Sequence, residues 1–165
     1  MKKLNNKGFT IAEVLVSFSL ITIILASLIS STVYFRDRLK QEEVISQLKD
    51  FKNSITKIIY DDILNKHITG AGRCFAEANC IEFTDINNTS YYLKLEESSN
   101  GVYLIYNNNK YLLPDSDLGD GVDRVCDFIG GFELLKSDNY PLYKVKTSFY
   151  HKDFDIKYDI IITLS

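Results

Sequence analysis

Glu13 is the residue whose type and position most directly suggest chemistry. It is the one charged side chain between Phe9 and Phe35, in a run that otherwise contains apolar and small polar residues. A carboxylate inside so long an apolar run is costly, which makes it a functional candidate whose partner has to be found. The alternative is that Glu13, only one turn inside the run, reaches toward the surface.

Three cysteines, Cys74, Cys80 and Cys126, form a second group with possible chemistry. A domain outside the cytoplasm permits disulfides. Cys74 and Cys80 flank a short loop, and we favour this pair. A Cys80–Cys126 bond is also allowed by the sequence, and free buried thiols are the remaining alternative. Zinc is not indicated, because it needs a fourth ligand and neither His67 nor His151 has useful spacing.

A cluster of carboxylates late in the chain is the third candidate. Its members are Asp115, Asp117, Asp120 and Asp123. Carboxylates this dense are typical calcium ligands. The EF-hand pattern fails, however, because Gly119 stands where an acid is needed and the closing Glu is absent. We therefore interpret the cluster as a solvated acidic turn, with calcium as the weaker alternative.

The sequence contains no recognisable catalytic constellation. It has no Gly-x-Ser-x-Gly elbow, no phosphate-binding loop and no His close to a plausible nucleophile. His151, Lys152 and Asp153 are most simply explained as a hairpin turn. We expect no enzyme activity and no cofactor.

Charge and length limit the possible functions further. The 165 residues suit one globular domain and an anchor, and the formal net charge is -3. This charge argues against nucleic-acid binding as the default function. A basic strip late in the chain is conceivable, made of Lys144, Lys146, Lys152 and Lys157.

The element that must hold Glu13 is a membrane helix. The run from Phe9 to Phe35 exceeds the roughly 20 apolar residues that span a bilayer. A single spanning segment has to be helical, because only a helix or a closed barrel satisfies its backbone in lipid. The run is too long for an ordinary signal peptide, and no small-residue cleavage site closes it.

The helical pattern continues beyond Arg36. Apolar residues recur at the three-four spacing of an amphipathic helix, at Val44, Ile45, Leu48, Phe51, Ile55, Ile58, Ile59 and Ile63. We expect Gly70 and Gly72 to end this helix. The competing interpretation of the stretch is a two-stranded coiled coil.

Short strand signals fill the rest of the chain. They cover residues 80–83, 90–95, 102–106, 110–113, 128–135, 142–150 and 155–164. Asn107, Asn108 and Asn109 supply the turn of a β-hairpin. One helix followed by antiparallel strands predicts an α+β fold, with the sheet on the apolar stripe of the helix.

The residues from Lys7 to Glu13, Lys-Gly-Phe-Thr-Ile-Ala-Glu, resemble the processing site of type IV pilin precursors. The resemblance implies that a prepilin peptidase cuts after Gly8 and that the new N-terminal Phe9 is N-methylated. Glu13 is then the fifth residue of the mature chain. Pairing its carboxylate with the Phe9 ammonium of a neighbouring subunit would offset the cost of both charges. The alternative is a plain signal anchor.

The resemblance also implies the pilin fold and a division of the chain. Residues 1–8 are the leader, 9–35 the transmembrane and assembly half of the helix, 36–67 its amphipathic half, and 68–165 the globular antiparallel β domain. Unlike many major pilins, the apolar half contains no Pro. The leader lysines Lys2, Lys3 and Lys7, together with the processing site, place the C-terminal domain outside the cytoplasm.

The implied function is that of a minor type IV pilin or pseudopilin. Such a subunit enters, primes or caps a type IV pilus, a competence pilus or a type II secretion pseudopilus. Its partners are the prepilin peptidase, other pilin subunits, the assembly platform and the membrane. It lies in the cell membrane before assembly and in a surface filament afterwards. The alternatives are a major structural pilin and a membrane-anchored extracytoplasmic binding domain.

Overall fold

The computed structural model describes residues 10–75, 77, 79–116, 125–136 and 142–164. The chain divides into two compact units, Met1–Glu42 and Glu43–Ser165. A long helix is followed by strands whose bounds are α1 Ile11–Lys66, β1 Ile68–Arg73, β2 Cys80–Asp85, β3 Ser90–Ser98, β4 Gly101–Tyr106, β5 Asn109–Leu112, β6 Cys126–Lys136, β7 Tyr143–His151 and β8 Ile156–Leu164.

Helix α1 is long because nothing in its sequence interrupts it. It contains neither Pro nor Gly. It ends at Lys66, whose ammonium lies 2.5 Å from the Asp62 carboxylate one turn earlier. His67 then turns the chain with a positive φ of 49°. The prediction that Gly70 and Gly72 end the helix was therefore wrong, because both lie within β1.

The part of α1 in the second unit packs through one stripe. Leu48, Ile55, Ile59 and Ile63 are buried at spacings of seven and four residues, which brings them onto one helix face. The Phe51 ring meets the Phe149 ring of β7 edge to face, at 5.8 Å between centroids. The stripe thus packs against the strands, as the predicted amphipathic pattern requires.

Strands β1 to β5 form one antiparallel sheet in sequence order. The β4–β5 hairpin turns at Asn107 and Asn108, which both have positive φ. Asn tolerates this left-handed conformation better than most residues, so the hairpin turns where the sequence predicted.

Strands β6 to β8 form a second antiparallel sheet. A bulge at Gly130 and Gly131 shifts the register of β6, and both glycines have positive φ, 73° and 71°. At Gly131 a Cβ atom would lie only 2.3 Å from Oδ1 of Asn79. The positive φ favours glycine there, and a Cβ would also displace the exposed Asn79 side chain.

The core of the second unit joins the helix stripe to the inner faces of both sheets. Its completely buried large side chains include Leu48, Ile55, Ile59, Phe83, Leu93, Leu104, Tyr106, Phe149, Ile160 and Ile162. The predicted α+β class is confirmed. Where the sequence suggested one sheet, the described residues form two.

Candidate assembly and processing site

The first turn of α1 is closed by a reciprocal pair of side chains, Thr10 and Glu13. The backbone N–H of Thr10 donates to Oε2 of Glu13 at 2.8 Å, and its hydroxyl donates to the same oxygen at 2.9 Å. The backbone N–H of Glu13 lies 3.3 Å from Oγ1 of Thr10. This arrangement is a capping box, in which Thr10 is the N-cap residue and Glu13 is the third residue of the helix.

The capping box gives Glu13 a role within its own chain. A helix start leaves backbone N–H groups without helical partners, and lipid offers no water to satisfy them. Glu13 accepts a hydrogen bond from one of these N–H groups, that of Thr10. Its negative charge lies at the positive end of the helix dipole. Both donors from Thr10 are neutral, so they leave the carboxylate its full charge.

Three hydroxyl groups in the apolar half of α1 donate to carbonyl groups of the same helix. The hydroxyl of Ser19 donates to the Leu15 carbonyl at 2.8 Å, and that of Thr22 donates to the Ser19 carbonyl at 2.7 Å. Further along the helix, the Thr32 hydroxyl donates to the Leu28 carbonyl at 2.8 Å. Bonds of this kind let hydroxyl groups lie in an apolar surrounding without an unpaired donor.

The surface of this half is apolar and uncovered in the isolated chain. Large apolar side chains from Ile11 to Leu39 are more than half exposed, including Phe18 at 66% and Phe35 at 64%. By length and composition, the helix is able to cross a membrane. Exposed apolar area on this scale requires lipid or other apolar helices around it.

The predicted processing residues Gly8 and Phe9 lie outside the described part of the chain. The pairing of Glu13 with the Phe9 ammonium, and the cleavage and methylation themselves, therefore remain predictions. Glu13 stands in the first turn of the helix and is exposed.

The globular unit contains the disulfide that the sequence favoured. Cys74 and Cys80 are joined, with Cα atoms 5.4 Å apart. They close the short connection between β1 and β2. Cys126 is a free, buried thiol, and burial raises its pKa to about 12. A thiol held in its neutral form is unreactive, so Cys126 acts as a core residue.

Of the predicted acidic cluster, only Asp115 lies within the described residues. Asp115 has a positive φ of 53°, and its Oδ2 lies 3.5 Å from Nε2 of buried His151. Asp117, Asp120 and Asp123 lie outside the described residues, so the calcium alternative stays a prediction. Within the described residues, no group of three or more His, Cys, Asp and Glu side chains is placed to hold a metal.

His151 does not belong to a hairpin turn, contrary to the prediction. It is the last residue of β7, and its imidazole stacks on the Phe154 ring at 4.8 Å between centroids. The turn follows it, at residues 152–155. The side chain is buried because β7 directs it to the inner face of its sheet, opposite Cys126.

The lysines of the predicted basic strip are partly neutralised. Lys146 lies 3.3 Å from Asp159 on the neighbouring strand, and the Ser148 hydroxyl donates to the same carboxylate at 2.6 Å. The Ser148 hydrogen bond, followed by Lys146, lowers the pKa of Asp159. Lys152 lies in the turn after β7 rather than on the sheet face. The structure therefore does not combine the four lysines into one positive strip.

Thr10 is the site residue that our sequence interpretation missed. Its signal was present, because Thr10-Ile11-Ala12-Glu13 has the Thr-x-x-Glu pattern of a capping box directly before an apolar run. The charge of Glu13 alone does not reveal this local partner.

Comparison with known proteins identifies one family model. The prokaryotic N-terminal methylation motif matches residues 3–29, which contain the predicted cleavage site, the capping box and most of the apolar run. No curated protein and no solved structure matches the chain.

Proposed function

Because the chain is a type IV pilin-like protein, we propose that it is a minor pilin or pseudopilin. In this role it is cut after Gly8, methylated at Phe9 and inserted into a filament that it helps to start or cap. The filament is a type IV pilus, a competence pilus or a type II secretion pseudopilus. Its globular unit then lies outside the cytoplasm.

The observation that carries this proposal is the position of Glu13. Within the matched motif, it is the fifth residue after the predicted cut and the third residue of α1. Cleavage creates an ammonium at Phe9, close to the membrane interface. A subunit that approaches with its own Glu13 free to accept this charge gains a charge-assisted hydrogen bond that neither subunit has alone.

The hydrogen-bond donors that Glu13 has before assembly allow it to bind a neighbouring subunit. Thr10 supplies two neutral hydrogen bonds, which keep the carboxylate oriented at the helix start. Hydrogen bonds to neutral donors are weaker than those to an ammonium. Glu13 can therefore exchange or add a hydrogen-bond partner when a neighbouring helix arrives. The added bond stabilises only the axial register that brings Glu13 next to the Phe9 ammonium of the other subunit.

A minor role is supported by features that distinguish this chain from many fibre-forming pilins. The apolar half of α1 has no Pro, and the structure shows an uninterrupted helix from Ile11 to Lys66. The local unwinding that a Pro would favour has no sequence basis here. We further propose that the subunit is not an enzyme and acts only through assembly.

Copy number in the filament tests this proposal. Filaments sheared from the native cells should contain this chain in traces relative to the main subunit, measured by quantitative mass spectrometry. Deleting its gene should reduce the number of filaments, and restoring the wild-type chain should recover it. Dominance in the filament would instead identify a major pilin. Absence from filaments whose number does not depend on the gene would leave a membrane-anchored binding domain.

A further inference from the structure

The turn between β2 and β3 carries a possible acceptor for a sugar. It contains Asn87-Asn88-Thr89, an Asn-x-Thr sequence without Pro at the middle position. This is the acceptor pattern for N-linked glycosylation, which modifies surface loops of exported proteins. We propose that Asn87 is N-glycosylated.

The geometry of the turn presents Asn87 to solvent. Ile86, Asn87, Asn88 and Thr89 are all exposed, whereas Asp85 beneath them is buried. Oδ1 of Asp85 accepts the backbone N–H of Asn87 at 2.8 Å and that of Thr89 at 2.7 Å. These hydrogen bonds hold the turn through backbone groups only. The side-chain carboxamide of Asn87 is exposed, so a bulky group can be attached to it.

Two overlapping acceptor patterns are present, and the structure favours the first. Asn88-Thr89-Ser90 also fits the pattern. However, Asn88 has a positive φ of 61°, and Ser90 is already part of β3 and half-buried. The hydroxyl that completes the first pattern belongs to the exposed Thr89. Both Asn side chains are exposed, but only the first pattern is completed by an exposed hydroxyl residue, so we assign Asn87 as the acceptor.

Asp85 supports the assignment through its place beneath the turn. In the folded chain, its carboxylate closes the turn and leaves the modified side chain outside the core. The fold therefore accommodates a glycan without displacing any buried group.

The reaction is a group transfer with no change of oxidation state. The carboxamide nitrogen of Asn87 forms a bond to the anomeric carbon of an oligosaccharide carried on a lipid diphosphate. The bond between that carbon and the diphosphate oxygen breaks, and the lipid diphosphate leaves with the electron pair. One amide proton goes to a base of the transferase. The donor is thus a lipid-linked oligosaccharide on the outer side of the membrane.

The inference rests on the proposed extracytoplasmic placement of the globular unit. The two claims can fail separately. A chain that begins at Phe9 and carries an unmodified Asn87 would overturn glycosylation alone. A glycosylated chain that still begins at Met1 would overturn the pilin proposal alone.

The test is mass spectrometry of the full chain purified from the membranes of its native cells. We expect the proteolytic peptide containing Asn87 to carry the mass of an oligosaccharide. Asn87→Gln and Thr89→Ala should both abolish this mass. Thr89→Ser, which keeps the hydroxyl, and Ser90→Ala, which removes only the second acceptor pattern, should retain it.

Each result has a defined meaning. Asn87→Gln leaves the backbone donors of the turn in place, so an unchanged thermal midpoint in detergent separates lost modification from lost folding. A bare peptide in the wild-type chain would overturn the proposal. So would a glycan that survives Asn87→Gln and disappears in Ser90→Ala, because that pattern assigns it to Asn88.

Discussion

Glu13 has two neutral donors from Thr10 within its own chain, and it retains its negative charge. These bonds explain how a carboxylate can be tolerated at the start of an apolar helix before any partner is present. They do not replace an opposite charge, because neutral donors stabilise a carboxylate less than an ammonium does. The capping role and the proposed pairing role can therefore be separated by mutation.

Glu13→Gln should separate them. Glutamine keeps the oxygen that caps the helix, so the variant should insert into the membrane as well as the wild-type chain does. It cannot bind the Phe9 ammonium as a charged partner, so we expect incorporation into filaments to fall roughly tenfold or more. Immunoblots of filament and membrane fractions measure both quantities.

Thr10→Ser is the matched control for this experiment, because it keeps the hydroxyl of the capping box. It should assemble at the wild-type level. Normal incorporation of Glu13→Gln would contradict the pairing role and leave Glu13 as a helix cap only.

Asp85 is one residue through which acid should act on the globular unit. Its pKa lies below the ordinary value, mainly because the backbone N–H of Thr89 donates to its carboxylate. A lowered pKa in the folded state means that this stabilisation is complete above the ordinary Asp value of about 3.9. It is lost as the pH falls through the lower, folded-state pKa.

Asp85→Asn should therefore reduce the acid sensitivity of the fold. The variant keeps the Oδ1 acceptor but has no charge to titrate at this position. Its thermal midpoint in detergent should fall less between pH 6 and a pH of about 3 than that of the wild-type chain. Parallel pH profiles for the two proteins would show that Asp85 has no such role.

At the scale of elements, the second part of α1 is the support of the globular unit. Ile59 is completely buried in its stripe, whereas Leu64, one turn further along the same helix, is 71% exposed. The two residues have the same helical context and differ in their surroundings. Substituting each of them by Ala separates the effect of lost core packing on stability from the effect of a change in helix propensity.

Ile59→Ala should destabilise the unit by about 2–5 kcal/mol, because it loses buried apolar contacts and leaves a cavity. Leu64→Ala should change stability by less than about 0.5 kcal/mol. Denaturant unfolding of both variants in detergent measures the difference. Equal effects would contradict the packing of this stripe in the core.

The glycine bulge of β6 offers a second comparison. Gly131 has a φ of 71°, and a Cβ there would displace the Asn79 side chain, whereas a Cβ at Gly70 in β1 would meet open space. Gly131→Ala should cost more than about 1 kcal/mol from backbone strain alone. Gly70→Ala should be close to neutral, and thermal unfolding measures both. A neutral Gly131→Ala would show that the bulge can rearrange.

The elements also show what the sequence could and could not predict. The helix and the β4–β5 hairpin were predictable, because long apolar periodicity and an Asn turn are local signals. Strand β1 was not. Its residues Ile68–Arg73 include Gly70 and Gly72, which suggested a helix end, and they become a strand by pairing with β2. The division into two sheets likewise depends on contacts between distant residues.

At the scale of the site, the sequence located Glu13 correctly but not its local partner. The Thr10 hydroxyl is a weak signal beside a charge in an apolar run, although both belong to one motif. The favoured Cys74–Cys80 pair is present in the structure. Cys126, which the sequence left as an alternative partner of Cys80, is a buried free thiol in β6, opposite His151.

At the scale of the whole molecule, the two units have opposite surface properties. The unit Met1–Glu42 exposes apolar side chains, from Ile11 to Leu39, on all sides of its helix. The unit Glu43–Ser165 encloses its own core. The apolar surface of the first unit therefore has to be covered by lipid or by other apolar helices. The proposed passage from membrane to filament supplies first the one and then the other.

The central claim is that this chain is processed as a pilin precursor. Its most direct test is the N-terminal sequence and intact mass of the protein isolated from its native membrane. The account predicts a chain that begins at Phe9, with one methyl group on its N-terminal nitrogen beyond any other modification. A chain that still begins at Met1, in cells whose prepilin peptidase processes other subunits, would contradict it.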